Sequence, residues 1–189
     1  MALTAGDRDI RPLSADEVLR MVEAGILEHP ERLELLHGAL TEKPVKSPVH
    51  EAVKSRLLEW LGPGWARRHY LVRIEAPLVV RDRLSLPEPD VAVVEPREYL
   101  ERHPDRAFLV IEIAHSSTAT DTKLKPALYA AAGVPEYWVV DVPSRRVHVF
   151  LAPEDGRYTA STILEPPMTL TPTAVEVAPL PLASLFAGL

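Results

Sequence analysis

Two acidic residues stand where acidic residues are costly. Glu112 sits inside "FLVIEIA", residues 108–114, among Phe108, Leu109, Val110, Ile111 and Ile113. Apolar, partly β-branched runs of this kind fill buried strands. A carboxylate there loses its solvation, and a cation or hydrogen-bond donor must compensate it. Asp90 opens a second such run, "PDVAVV", 22 residues earlier. Neighbouring strands would bring both carboxylates to one end of a sheet. Two close carboxylates repel, which raises a pKa unless a metal neutralises them. Oxygen donors in a chain without cysteine favour a hard cation, Mg²⁺ or Mn²⁺. Lys123 and Lys125 lie on the helix predicted to follow, and either could return an ammonium to the acids. Pro-Asp alone is an ordinary turn pair. A buried ion pair seldom stabilises a fold, so Glu112 inside a strand favours a functional reading.

The elements that must position these groups are legible. "LSADEVLRMVEAG" predicts a helix, with Ser14 and Glu17 as a capping box. "RLELLHGALTEKP" predicts a hairpin turning near Gly38. "SPVHEAVKSRLLEWLGPG" predicts a second helix, capped by Ser47 and stopped at Gly62, with His50 and Lys54 four apart. "YLVRIEAPLVV", "PEPDVAVVEP" and "AFLVIEIA" predict strands, and "REYLERHP" a turn of helix. "DTKLKPALYAAAGV" predicts a helix starting at Asp121, and "EYWVVDVPSRRVHVFLAPEDGRYTASTIL" three more strands. Tyr137 and Trp138 are expected in the core. The proline-rich tail is expected to run along the surface and end in a turn of helix. The order implies a mixed α/β fold around one sheet.

A chain of 189 residues, 47% hydrophobic, implies a single domain over residues 1–189. A net charge of −6 excludes a protein that coats nucleic acid by charge alone. A local basic segment, Arg67, Arg68, His69, Arg73, Arg81 and Arg83, could still hold a phosphate backbone. No apolar run is long enough to span a bilayer, and no secretory signal is visible, so a cytoplasmic protein without membrane contact is expected. The chain has no Asn or Gln and has 19 prolines, which are thermophile tendencies.

"PD" at 89–90 followed by a buried strand carrying Glu resembles the PD-(D/E)XK nuclease superfamily. The wider run, "ERLELLHGAL", "SPVHEAV", "EPDVAVV", "LVIEIAHSST", "DTKLKPALY" and "GVPEYWVVD", resembles the Uma2 family within it, over roughly residues 12 to 185. The resemblance implies a restriction-endonuclease-like core, a central mixed β-sheet flanked by α-helices. It also implies an endonuclease hydrolysing phosphodiester bonds of nucleic acid, DNA in the first instance, as a homodimer if both strands of a duplex are cut. The family's pattern falls residue by residue on Asp90 and Glu112 as catalytic acids and metal ligands, helped by the carbonyl of Ile113. Position 114 is Ala where the superfamily strand carries Lys. The lysine of the Uma2 "D-x-x-x-K-x-x-x-Y" run falls on Lys125, between Asp121 and Tyr129, with Lys123 as the alternative. The early glutamate falls on Glu34 and the helix histidine on His50, as accessory residues. Lys123 points about 200° around a helix from Lys125, estimated from 3.6 residues per turn, so both cannot face one site. On this reading Lys125→Ala should leave folding nearly intact. The rival readings are a non-catalytic nucleic-acid-binding or scaffold protein on the same fold, and a hydrolase using the acid pair on sugars.

Overall fold

The computed structural model describes residues 4–5, 8–62, 69–80 and 83–189. A small hairpin, β1 (Thr4–Ala5) and β2 (Arg8–Asp9), precedes helix α1 (Ala15–Glu23). The capping box forms: Glu17 N–H donates to Ser14 Oγ, and Ser14 N–H donates to the Glu17 carboxylate. A hairpin follows, β3 (Leu33–Leu36) and β4 (Ala39–Glu42), then helix α2 (Pro48–Leu61). Gly38 is required at the hairpin turn. Its φ is +83°, and a Cβ there would come within 2.2 Å of the Pro12 side chain.

The central sheet has six strands. They are β5 (Leu71–Ile74), β6 (Val91–Val94), β7 (Leu109–Ala114), β8 (Glu136–Asp141), β9 (Arg146–Glu154) and β10 (Arg157–Leu164). They lie side by side in reverse chain order, β10 to β5. All pairs are antiparallel except β7 and β8. A parallel pair needs a crossover. Here it is a π-helical turn (Thr120–Leu124) running into helix α3 (Lys125–Ala131). The chain ends with a short pairing of β11 (Thr169–Leu170) with β12 (Leu180–Pro181) and helix α4 (Leu182–Leu185).

Period-two alternation divides the sheet into two buried faces. Val91, Val93, Leu109, Ile111, Ile113, Trp138 and Val140 pack against Val53, Leu57 and Leu61 of α2. Ala92, Val94, Val110, Ala114, Tyr137 and Val139 pack against Leu128, Tyr129 and Ala132 on and beyond α3. Tyr137 and Trp138 are both in the core.

Three local expectations change. The tail covers the first face of the sheet with Leu170, Val175, Leu180, Leu182, Leu185 and Phe186, rather than lying outside the core. Its prolines forbid a ladder strand but not apolar burial. "REYLERHP" forms bends and no helix. Pro96 and Pro104 bracket it, and Leu100 is left exposed, so no apolar stripe anchors a helix there. The strand after Tyr70 stops at Ile74, because Glu75 takes φ +47° and Pro77 follows.

Buried Glu136 fastens the tail to the sheet. Trp138 Nε1 donates to one carboxylate oxygen at 2.7 Å. The other accepts from Thr173 N at 2.7 Å, Thr173 Oγ1 at 2.9 Å and Ala174 N at 2.9 Å. Glu136→Ala strands the Trp138 indole donor in the core and removes the acceptor that ties Thr173 and Ala174 to the sheet. A loss of about 3 kcal/mol is expected, the scale of unsatisfied buried groups, and urea unfolding monitored by Trp fluorescence measures it.

Candidate active site

Strand register brings the two acids together. β6 pairs Val91 with Ile111, so Asp90, the residue before β6, stands opposite Glu112. The Ile113 amide donates to Asp90 Oδ2 at 2.8 Å. In extended backbone the carbonyl of a residue leaves on the same side as its amide, so the Ile113 carbonyl is directed to the Asp90 side of the strand. His50, in the first turn of α2, places Nε2 3.0 Å from Asp90 Oδ1. Lys46, in the loop before α2, lies 3.3 Å from the same oxygen and 2.7 Å from Glu75.

The crossover supplies the lysine. Lys125 is only 6% exposed, and its ammonium donates to Glu112 Oε1 at 2.9 Å. It also lies 3.3 Å from Glu34 Oε1 and 3.5 Å from Asp121 Oδ1. The buried Tyr129 hydroxyl donates to the same Glu112 oxygen at 2.8 Å. Glu34 is held from the hairpin side, its Oε1 accepting from Glu88 N at 3.1 Å. Asp121 accepts a short hydrogen bond from Ser117 Oγ. Lys123 is exposed and is not brought to this cluster.

A proline sets the helix register. Pro126 has no N–H, and its ring crowds the carbonyl four residues before it, so regular α-helix cannot form through that point. The turn widens instead, with Lys125 N–H donating to Thr120 O. The Asp121 carbonyl, short of a helix donor, accepts from Tyr137 OH at 2.8 Å. The widened turn leaves Asp121, Lys125 and Tyr129 all buried on the sheet side.

The electrostatics are unbalanced toward negative charge. Burial pushes the Glu112 carboxyl up to about 8, and the charges of Asp121, Asp90 and Glu34 add to that, against the opposing pull of Lys125. An ion pair at 2.9 Å would ordinarily depress a carboxyl, but this ammonium is shared among three acids. Burial alone would lower Lys125, yet Glu112, Glu34 and Asp121 reverse that and hold it protonated. Asp90 goes the other way. Burial opposes ionisation, but hydrogen bonds from His50 and the Ile113 amide, with the Lys46 charge nearby, keep its carboxyl below the usual range. Asp121 is raised by burial.

Glu34, Lys46, His50, Asp90, Glu112, Asp121 and Lys125 line one cavity of about 590 Å³. Among the described residues, no three His, Asp or Glu side chains already stand in a metal-ligating arrangement. The donor chemistry nevertheless fits a hard divalent cation. Carboxylates of Asp90, Glu112 and Glu34 meet in one pocket, and the raised Glu112 marks negative charge that a single lysine does not offset.

The described arginines of the basic segment, Arg73 and Arg83, have separate partners. Arg67, Arg68 and Arg81 lie outside the described residues. Arg73 lies over the Tyr99 ring at 5.4 Å, and Arg83 pairs with Asp16 at 3.2 Å.

Lys46 and Ser117 touch the acids without having been singled out as site residues in the sequence, and Tyr129, named there only as the end of the Asp121–Lys125 run, touches them too. For Tyr129 the signal was present, since it stands four residues after Lys125. Lys46 and Ser117 reach the site from loops, where no periodicity indicates direction.

The fold is shared with a solved structure. A crystal structure described as a "putative nuclease belonging to DUF820" from Anabaena variabilis ATCC 29413 superposes with a TM-score of 0.69. It is 21% identical in sequence and covers 93% of this chain and 98% of its own. No curated protein matches the chain. The family model described as "Putative restriction endonuclease" matches residues 15–183, nearly the full length. The chain therefore belongs to the Uma2 family, and its sheet and helices have the mixed α/β architecture that the Anabaena protein shares.

Proposed function

We propose that the protein is a Mg²⁺- or Mn²⁺-dependent nuclease that hydrolyses phosphodiester bonds, with DNA as the first substrate to test. The observation that carries the reading is the convergence of Asp90, Glu112, Glu34 and protonated Lys125 on one cavity in a chain of this family. Asp90, Glu112 and the Ile113 carbonyl would hold the cation, with Glu34 beside them. When bound, the cation supplies Lewis acidity toward the phosphate and lowers the pKa of a bound water.

The remaining roles belong to the chain. Asp90 is kept ionised and oriented by the Ile113 amide and His50. Tyr129 and Lys125 fix the Glu112 carboxylate from the α3 side. Lys125, unable to give up its proton, presents N–H donors where negative charge grows on the phosphate oxygens. In the hydrolysis a water oxygen bonds to phosphorus and the bond to the departing sugar oxygen breaks. The water's proton leaves to solvent, and the departing oxygen takes one from solvent.

Among the described residues no helix is long and apolar enough to cross a membrane. The reading places the protein in the cytoplasm with nucleic acid as its partner. A second copy is needed only if both strands of a duplex are cut in one encounter. Incubation with supercoiled plasmid in Mg²⁺, Mn²⁺ and EDTA tests the proposal. Nicking is expected with either metal, since supercoiling leaves unpaired segments open, and none in EDTA. Absence of cleavage with every metal, alongside retained nucleic-acid binding, favours the non-catalytic binding protein.

A further inference from the structure

The acids lie in a recess, and the recess restricts which phosphodiester can reach them. Asp90, Glu112, Asp121 and Lys125 are all buried, inside a cavity of about 590 Å³. That volume lies within the roughly 300–1,000 Å³ of pockets that enclose a whole small ligand. Its lining carries six carboxylates against three lysines. Double-stranded DNA carries one negative charge per about 1.7 Å of its axis. Laid across such an opening, it would keep its scissile phosphate outside by its own stiffness, away from acids that lie buried in the recess. A single strand can turn one nucleotide inward and bring one phosphate with it.

The opening also offers what a base needs. Val45 is 96% exposed and Leu124 is 40% exposed, and both line this cavity together with Leu36 and Ala39. One exposed apolar side chain on a surface means little. Two that line the same charged pocket give it apolar wall surface where a base face can lie. Val45 stands between Lys43, paired with Glu88 at 2.5 Å, and Lys46, beside Asp90. The wall and the acid cluster are therefore parts of one cavity.

We propose that this pocket takes one nucleotide unit of a single strand, its base against the Val45–Leu124 wall and its phosphate toward Lys125. The substrate is then single-stranded nucleic acid, or a frayed or unpaired segment, and an intact duplex is excluded. The proposal rests on the phosphodiesterase reading of the site. The contacts are to the base and the backbone rather than the sugar, so DNA and RNA strands are both tested.

The experiment measures fluorescence anisotropy and cleavage with the full chain in Mn²⁺. The probes are fluorescein-labelled short single strands of DNA and of RNA, and a blunt DNA duplex of the same sequence. Single strands are expected to bind at least about tenfold more tightly than the duplex, the scale of one base contact. Val45→Ala with Leu124→Ala should weaken single-strand binding about tenfold and leave duplex binding unchanged. An unchanged melting curve shows that the double variant is folded. Duplex binding equal to or tighter than single-strand binding overturns the proposal. So does a double variant that binds single strands as well as the native chain does. Preferential single-strand binding without cleavage defeats the nuclease reading and leaves the pocket assignment standing. Cleavage of duplex with single strands ignored does the reverse.

Discussion

Lys125→Met lowers the rate of metal-dependent cleavage by about two to three orders of magnitude, the usual loss for removing one positioned charged donor. Lys123→Ala, at an exposed position of the same crossover, leaves the rate unchanged. Single-turnover cleavage of labelled nucleic acid measures both. The structure also corrects what the sequence implied for folding. Lys125 is the shared counter-ion of Glu112, Glu34 and Asp121, so its removal strands buried carboxylates. Lys125→Ala is therefore expected to destabilise the metal-free protein by about 3–5 kcal/mol, as when one partner of a buried pair is removed. The loss should depend on pH. Glu112 in the folded protein is raised to about 8, above its ordinary 4.5. Between those values the folded state holds the extra proton, so stability declines as pH rises through the window. Without Lys125 the carboxyl rises further and the decline extends to higher pH. Urea unfolding in EDTA at pH 5 and pH 9 should show the larger penalty at pH 9. An equal penalty at both would mean that Glu112 is not the group left unpaired.

Asp90→Asn separates charge from geometry at the other acid. The amide oxygen can still accept from the Ile113 N–H and the side chain can still meet His50, so the melting temperature should move by only a few degrees. The charge that would bind a divalent cation is gone. Cleavage is expected to fall by about a thousandfold, and Mn²⁺ binding by isothermal titration calorimetry to weaken in parallel. A variant that cuts at the native rate removes Asp90 from the proposed metal site.

The sequence made some of this arrangement readable and concealed the rest for physical reasons. An acid inside an apolar strand is conspicuous because burial without a partner is so unfavourable, and Glu112 was visible on that ground alone. Asp90 gained meaning only from its partner, since Pro-Asp is common in turns. Helical periodicity separated Lys125 from Lys123 because each residue turns the side chain about 100°. Glu34 was harder. Alternation in "RLELL" pointed Leu33 and Leu35 inward, yet Glu34, Leu35 and Leu36 are all buried, because the hairpin is covered on both sides. The tail was misjudged for a related reason. Proline content reports on hydrogen-bond donors, whereas burial follows the apolar side chains between the prolines.

The missing amide of Pro126 has a consequence beyond the crossover itself. Pro126 stands outside the acid cluster, yet it decides how many residues one turn of the preceding helix contains. If residue 126 could donate, the segment could tighten to an ordinary α-helix. Each residue before it would then rotate relative to those after it. Asp121 and Lys125 could no longer both keep their present places against the sheet, and the Tyr137 hydroxyl would compete with a backbone donor for the Asp121 carbonyl. The acids on the strands would stay where strand pairing puts them. Strand register and helix winding thus act as two separate rulers, and the cluster exists only where their marks coincide.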